Sequence, residues 1–388
     1  MTILVVLFAA AVAVSLIYYV AATVAAIKFA ALGSVSSPPL PKIAPRVAVL
    51  KPLHGTNSSL AANVISFLEV AYPRLEYFFG VEDYEDPAAE VPVALRQRYQ
   101  FANITLVVGE EPGCSNRKVA KLIKMAERAP KADIFVISDA DVSVDRDYLR
   151  RIVGELLADE EIGIVTCAYG ARPSGSFASR LEALSVNTDF MPQLLLAEML
   201  EPMHYALGAT IAIKRTALEA IGGFSAVKNL LADDFYLGKM VNAKGYRTEL
   251  SSARVTLTCE ERRFSDFWHH QLRWARTYRT VRPVSIATIA IHGPFWAILL
   301  LAAAHASAPA VAAFVLVIAA RLAMSAVMVG RVLKMPELLS DLWLVPIKDL
   351  AMTGIWFASL LSNNVMWAGR KFRVMRGGTM REVKRRAA

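Results

Sequence analysis

Residues 3 to 27, "ILVVLFAAAVAVSLIYYVAATVAAI", contain no charged side chain, and this run limits the possible folds more than any other feature. As a helix it is long enough to cross roughly 30 Å of hydrocarbon. A cleaved signal peptide is the rival reading, but no basic region precedes the run and it exceeds the roughly 7–15 apolar residues of such a leader. Two further apolar stretches, 285 to 306 and 309 to 330, meet at the uncharged "HASAP" and predict a two-span hairpin. The second contains Arg321, which needs an interior partner or a water-filled site. A weaker stretch, 342 to 367, is interrupted by Pro346, Lys348, Asp349 and Asn363–Asn364. That pattern predicts an amphipathic or re-entrant segment rather than a clean span.

A hydrophobic fraction of 55% and a mean hydropathy of +0.40 exclude an ordinary soluble chain. Basic residues follow the first run (Lys28, Lys42, Arg46) and the third (Arg331, Lys334). After Trp367 come Arg370, Lys371, Arg373, Arg376, Arg381, Lys384, Arg385 and Arg386, against the single acid Glu382. The positive-inside rule puts all three places on the cytoplasmic side. Most of the net charge of +9 lies in that last segment, and such a cluster implies attraction to an anionic membrane surface. No nucleic-acid-binding module is recognisable, so nucleic acid is not an expected partner. Cys114, Cys167 and Cys259 lack metal-ligand spacing and read as free thiols. The expected organisation is a membrane helix over 1–32, a linker over 33–45, a cytoplasmic domain over 46–282 and a membrane hairpin over 283–334. An interfacial or re-entrant segment over 335–369 and a basic tail over 370–388 would follow.

In the central domain, apolar runs alternate with amphipathic stretches. Strands are expected at 46–53, 75–83, 104–109 and 133–142, and helices at 60–70, 88–100 and 117–128. This alternation predicts a mostly parallel sheet with helices on both faces, where ligands bind at the carboxyl ends of the strands. Glu82, Asp83, Asp139 and Asp141 fall at such ends. An aspartate there often only begins a turn, but "SDADV" directly after "IFVI" sets two carboxylates where they can converge on one cation. Magnesium or manganese would bridge from them to a diphosphate. "CSNRKVAKLIK" puts Asn116, Arg117 and Lys118 at a helix start, where backbone amides and cations favour an anion; a solvated basic face is the plain alternative. "LADDF" opens another helix with Asp233 and Asp234, of which one can serve as the N-cap and leave the other for chemistry. In "HHQLRW", His270, Arg273 and Trp274 share one helix face.

Taken in order, "GVEDYEDP", "SNRK", "ISDADV", "LADDF" and "HHQLRW" resemble the membrane-bound nucleotide-sugar glycosyltransferases of the ceramide glucosyltransferase family, including its bacterial, hopanoid-associated branch. "VAVLKPLHG", "ALGATIAIKR" and "IGGF" add to the likeness, which covers nearly the whole chain. The resemblance implies an α/β domain of the glycosyltransferase A (GT-A) type, with a mixed, mostly parallel sheet plus transmembrane and interfacial helices. It implies that Asp83, with Glu82 beside it, lies near the uridine of the donor, and that Asn116 and Lys118 contact the nucleotide. Asp139 and Asp141 would hold the divalent cation and diphosphate; eukaryotic relatives resemble "DSG" here, making Asp139 the surer ligand. Asp234 would be the catalytic base, with Asp233 in the place of a glutamate. Arg273 and Trp274 match the family's terminal Arg-Trp, and His270 stands where the family has Gln or Arg. Histidine donates a hydrogen bond as glutamine does, and protonated it adds positive charge beside a diphosphate.

The implied activity is a single inverting displacement from a UDP-sugar to the hydroxyl of a membrane lipid of ceramide or hopanoid type, at a bacterial inner membrane. The alternatives are a processive β-glycan synthase, a dolichol-type phosphosugar synthase, and a membrane scaffold that binds nucleotide-sugar without turning it over.

Overall fold

The computed structural model describes residues 2–32, 38–56, 58–367 and 370–383. Residues 33–37 of the expected linker and the bases Lys384, Arg385 and Arg386 lie outside the described residues. The central domain is built on eight strands: β1 (Val47–Pro52), β2 (Leu75–Val81), β3 (Asn103–Val108), β4 (Ile134–Ser138), β5 (Val142–Val144), β6 (Ile162–Pro173), β7 (Thr210–Lys214) and β8 (Arg247–Cys259). They lie in the order β3-β2-β1-β4-β7-β6-β8-β5. The first four are parallel, β7 runs antiparallel to both β4 and β6, and β6 pairs parallel with β8.

Every residue of β1 is buried, as expected for a strand with both faces covered. Its alternate side chains feed two cores. Val47 and Val49 join Tyr77 and Phe79 on one side, and Ala48 and Leu50 join Phe78 and Phe135 on the other. The chain differs from the sequence expectation at 133–142. Instead of one strand, β4 stops at Ser138 and β5 begins at Val142, across the sheet beside β8.

Two helices, Thr2–Ala31 and Ala308–Val332, are long and apolar enough to cross a membrane. The expected first arm of the hairpin is broken, with Pro283–Ile291 and Gly293–Ala303 meeting at 54°. Pro294 supplies the reason, since proline lacks the amide that a continuous helix needs and is tolerated only in a first turn. Val12, Tyr19 and Ala22 of the first helix pack with Ala297, Leu300, Val317 and Met324. Ile3, Leu7, Ile17 and Val20 stay exposed on its outer face, as suits contact with lipid.

The segment expected to be amphipathic or re-entrant contains the helix Val345–Leu360, and it is inside-out. Ile347, Leu350 and Phe357 are exposed, while Lys348 and Asp349 are buried. Arg321 finds its partner there: its Nε donates to Asp349 Oδ2 at 2.8 Å, and its Nη1 donates to the Thr188 carbonyl at 2.8 Å. Lys348 Nζ lies 2.7 Å from Asp349 Oδ1, and both cations also bond Asp189. The quartet pins the membrane helix Ala308–Val332 and the helix Val345–Leu360 to the domain helices around Asp189.

The segment expected as a basic tail folds, through its described residues, into β10 (Arg370–Val374) and β11 (Met380–Glu382), which form a small antiparallel sheet with β9 (Asn364–Trp367). Phe372, Val374 and Met380 are buried, while Arg370, Lys371, Arg373, Arg376 and Arg381 are exposed. The alternation has the strand period of two. The sheet is fastened to the domain by backbone bonds from Leu231 N to Gly378 O (3.0 Å) and from Met380 N to Asn229 O (2.9 Å).

Candidate active site

The turn between β4 and β5 is tied from behind at four successive carbonyls. Lys51, wholly buried near the end of β1, donates to the carbonyl of Asp139 at 2.6 Å and to that of Val142 at 3.1 Å. Asn63 Nδ2 donates to the Ala140 carbonyl at 3.2 Å. The Thr258 amide donates to the Asp141 carbonyl at 2.9 Å. With the backbone so occupied, both carboxylates line the cavity in front of the turn. Burial pushes the Lys51 ammonium down to about 7 despite Asp141 and Asp139 nearby. Lys51 was not foreseen as a site residue; its signal was a lysine inside an otherwise apolar strand.

Opposite the turn, Asp233 and Asp234 open the helix Asp233–Asn242. Asn116 caps the helix Arg117–Glu127 through its side-chain oxygen and uses its Nδ2 on the Leu230 carbonyl (2.8 Å) and Asp233 Oδ1 (3.1 Å). It is fully buried, with its amide committed to Asp233 and the Leu230 carbonyl, so in this structure it positions Asp233. Lys118 reaches across to Asp139 Oδ1 at 2.7 Å and Asp233 Oδ2 at 3.7 Å. Burial opposes its charge, yet Asp139, Asp233 and Asp234 together hold the ammonium above its ordinary value. Asp234 accepts only the Phe235 amide, at 2.8 Å. Its Oδ2 faces Gly208, where a Cβ would come within 2.8 Å of that oxygen and 3.8 Å of Asp139 Oδ2. Burial, then the charge of Asp233, pushes the Asp234 carboxyl up to about 6.

The helix Phe264–Val281 brings His270, Arg273 and Trp274 to the same cavity. Trp274 is held edge-on to Phe190, with ring centroids 5.9 Å apart. His270 Nδ1 lies 2.7 Å from Glu182 Oε1 and 3.6 Å from Glu261 Oε1, and Gln271 Nε2 donates to the same Glu182 oxygen at 2.7 Å. Neither glutamate was foreseen; Glu182 is a lone acid in its helix, whereas Glu261 belongs to the pair Glu260–Glu261 directly after β8, a strand-end signal that was available in the sequence. The ligand atoms of Glu182, Glu261 and His270 lie within 4.8 Å of one another. Glu182 Oε2, Glu261 Oε2 and Asp141 Oδ1 have no hydrogen-bond partner among the described residues. Burial and Glu182 push Glu261 up to about 7, and burial and Asp139 push Asp141 up to about 6. Unpaired buried carboxylate oxygens suit a hard divalent cation, so the residues present fit one. Asp139 already bonds Lys118, which leaves Asp141 the more available of the two aspartates.

One cavity of about 920 Å³ joins these groups, with Glu82, Lys118, Asp139, Asp141, Asp233 and Asp234 around one end. Glu82 pairs with Arg117. Asp83 is not brought in: it is exposed, and its Oδ1 accepts the Asp86 amide at 2.8 Å in the turn after β2. Asp86, unforeseen, is the buried acid here, accepting the Gly55 amide at 2.9 Å and lying 3.1 Å from His54 Nδ1.

Sheet order, the acidic turn and the acids at the helix start define a membrane-associated glycosyltransferase with a GT-A domain. The model of glycosyl transferase family 21 matches residues 6–380, and the chain belongs to that family. It is 24% identical over 232 residues to ceramide glucosyltransferase 3 of Caenorhabditis elegans, covering 60% of this chain and 50% of that one. It is 23% identical over 238 residues to the probable glycosyltransferase YdaM of Bacillus subtilis, covering 60% of this chain and 55% of that one. The chain thus spans about half the length of the relatives it matches. Mannosyltransferase PcManGT from Pyrobaculum calidifontis, solved with GDP-Man and Mn2+, superposes with a TM-score of 0.54 at 22% identity, covering 92% of this chain and 99% of that one. At that identity the likeness shows the fold.

Proposed function

We propose that the protein moves one sugar from a UDP-sugar to the hydroxyl of a membrane lipid of ceramide or hopanoid type, with inversion. The observation that carries this reading is a single cavity lined at one end by Lys118, Asp139 and Asp234 and at the other by Tyr19, Arg321 and Trp356 of the membrane helices. A hydroxyl acceptor drawn from the bilayer would meet the donor inside it. The domain and its basic sheet would face the cytoplasm of a bacterial cell, with the helices in the inner membrane.

A lipid hydroxyl holds its proton far above neutral pH, so attack needs a base in hydrogen-bond reach. Asp234 takes that role. Asp233 is already engaged by Asn116 and Lys118, whereas Asp234 keeps an oxygen open beside Gly208. Lys118 and Arg273 offset the charge that builds on the leaving diphosphate. A magnesium or manganese ion held by Asp141 with Asp139 would supply further electrostatic stabilisation of that diphosphate. Trp274, fixed by Phe190, orients the face of the cavity, and His270 holds Glu182 beside it. Transfer assays on Asp234→Asn test the assignment: the variant should keep UDP binding and lose transfer, and full retained transfer would remove Asp234 from the mechanism. Product analysis should find one sugar per lipid; a ladder of longer products would establish the processive alternative instead.

A further inference from the structure

The broken membrane arm turns at His292, whose ring lines the same cavity as Asp234. The His292 Nδ1 atom lies 2.8 Å from Thr353 Oγ1. That hydroxyl sits 2.9 Å from the Asp349 carbonyl, to which it donates. A hydroxyl has one proton, so with that proton committed the oxygen can only accept from the histidine. Nδ1 therefore carries the ring proton, and Nε2 is left as a bare acceptor. Among the described residues no hydrogen bond to Nε2 is formed; the ring's bond is the one to Thr353. An acceptor left open among apolar side chains is the kind of polar group that fixes the orientation of a small ligand in a pocket; the charged Arg321 and Asp349 nearby are already paired with each other. From the facing helix the lining takes Met352, Ile355, Trp356 and Leu360, with Ser359 and the ion-paired Asp349 beside them.

Resting on the lipid-transfer reading above, we propose that the gap at His292 is the acceptor-lipid subsite. In it His292 Nε2 accepts a hydrogen bond from an N–H or O–H group next to the reacting hydroxyl. The chains of the lipid lie along Ile355, Trp356 and Leu360, and its headgroup points toward Asp234. The break in the arm gives the subsite its opening. A continuous helix through residues 291–294 would keep its backbone amides in its own ladder and carry the ring of residue 292 on an unbroken surface. The bend turns it into the cavity. The partner chemistry is an amphiphile with a second donor beside its hydroxyl; an amide N–H and a vicinal hydroxyl are its two sources.

The full chain, purified in phosphatidylcholine nanodiscs, is given UDP-glucose, UDP-galactose or UDP-N-acetylglucosamine, whichever it binds. Three acceptors separate the sources: a 3-deoxyceramide with the amide N–H only, a 1-O-alkylglycerol with the vicinal hydroxyl only, and a 1,2-dialkylglycerol with neither. The unsubstituted protein should favour one or both of the first two by roughly ten- to a hundredfold in kcat/KM over the third, the effect of leaving a lining acceptor unpaired. His292→Phe should collapse that preference while leaving UDP binding unchanged. His292→Gln, which keeps an acceptor oxygen, should restore part of it. Thr353→Val, which frees the ring proton without touching the ring, should weaken the preference even if the Phe variant fails to fold. A preference that survives in both His292→Phe and Thr353→Val, or an unsubstituted protein indifferent among the three lipids, overturns the subsite. UDP-sugar binding with no transfer to any lipid overturns the proposed function itself, a different result.

Discussion

Two clusters of charge sit in one continuous cavity, and they are built in opposite ways. At the membrane end Arg321 and Lys348 face Asp189 and Asp349, two cations to two acids, and both acids are bonded by both cations. At the donor end Asp139, Asp141, Asp233 and Asp234 share Lys118 as their bonded cation, through Asp139 and Asp233 alone, and Asp141 keeps a buried oxygen without a partner. A balanced cluster is complete without a ligand and does structural work. An unbalanced one gains its missing charges when something binds. Buried charges are stable only when paired, so the imbalance supports placing the proposed chemistry at that end.

The comparison can be broken from either side. Asp234→Asn should have the largest effect, lowering transfer about 10²–10⁴-fold while the unfolding midpoint holds or rises, because one crowded carboxylate is gone. Arg321→Met should do the reverse. Removing one partner of a buried set costs about 3–5 kcal/mol, read as a lower unfolding midpoint in detergent, and UDP binding by the molecules still folded should persist. If Arg321→Met leaves the midpoint unchanged, the quartet is no clamp. Lys51→Met tests the scaffold between the two: losing its bonds to the Asp139 and Val142 carbonyls should cost about 1–3 kcal/mol and loosen donor binding as well.

A pH series sharpens the contrast. Asp234 must be ionised to take a proton, and its carboxyl stands at about 6. The kcat/KM for transfer should therefore fall about tenfold per pH unit below that value and level off above it. Stability runs the other way. Where the folded carboxyl is raised above its unfolded value, the folded state binds more protons between the two values. Folding therefore weakens as pH rises through that window, and Asp141 and Asp234 both contribute in that direction. An unfolding midpoint that instead climbed from pH 4 to pH 6 would contradict the unpaired acids. The smallest effect should come from Arg373→Ala on the exposed face of β10. Stability should stay within about 0.5 kcal/mol, while affinity for phosphatidylserine vesicles drops by about 1 kcal/mol for the lost base.

The donor end was largely legible in the sequence because its acids sit where apolar runs stop, at the ends of β2 and β4 and at the start of the helix Asp233–Asn242. The strands up to β4 were legible for the same reason. What was hidden depends on distance along the chain. Lys51 and Asn63 act on carbonyls 88 and 77 residues away, and Glu182 meets His270 across 88, separations at which no local pattern carries information. Asp83 and Asn116 show a further limit: a side chain that bonds a nearby backbone group looks in sequence like one that awaits a ligand. The folded end of the chain was masked by its charge: the buried Phe372, Val374 and Met380 are outnumbered by bases, so the period of two did not stand out. The bend at His292 rested on Pro294, one residue in a run otherwise apolar enough to span.

The fastening of the small sheet has a consequence for when the protein becomes active. Asn229 and Leu231, just ahead of Asp233 and Asp234, are bonded to Met380 and Gly378. The strand that steadies the catalytic acids is therefore among the last parts of the described chain to leave the ribosome, long after the N-terminal helix can enter the bilayer. A nascent chain would already be anchored, with most of its sheet formed, while the segment leading to its proposed base still lacked the two backbone bonds from Gly378 and Met380. Turnover would begin only when synthesis has passed residue 380, so that an incomplete chain in the membrane would not draw on the cell's nucleotide-sugars.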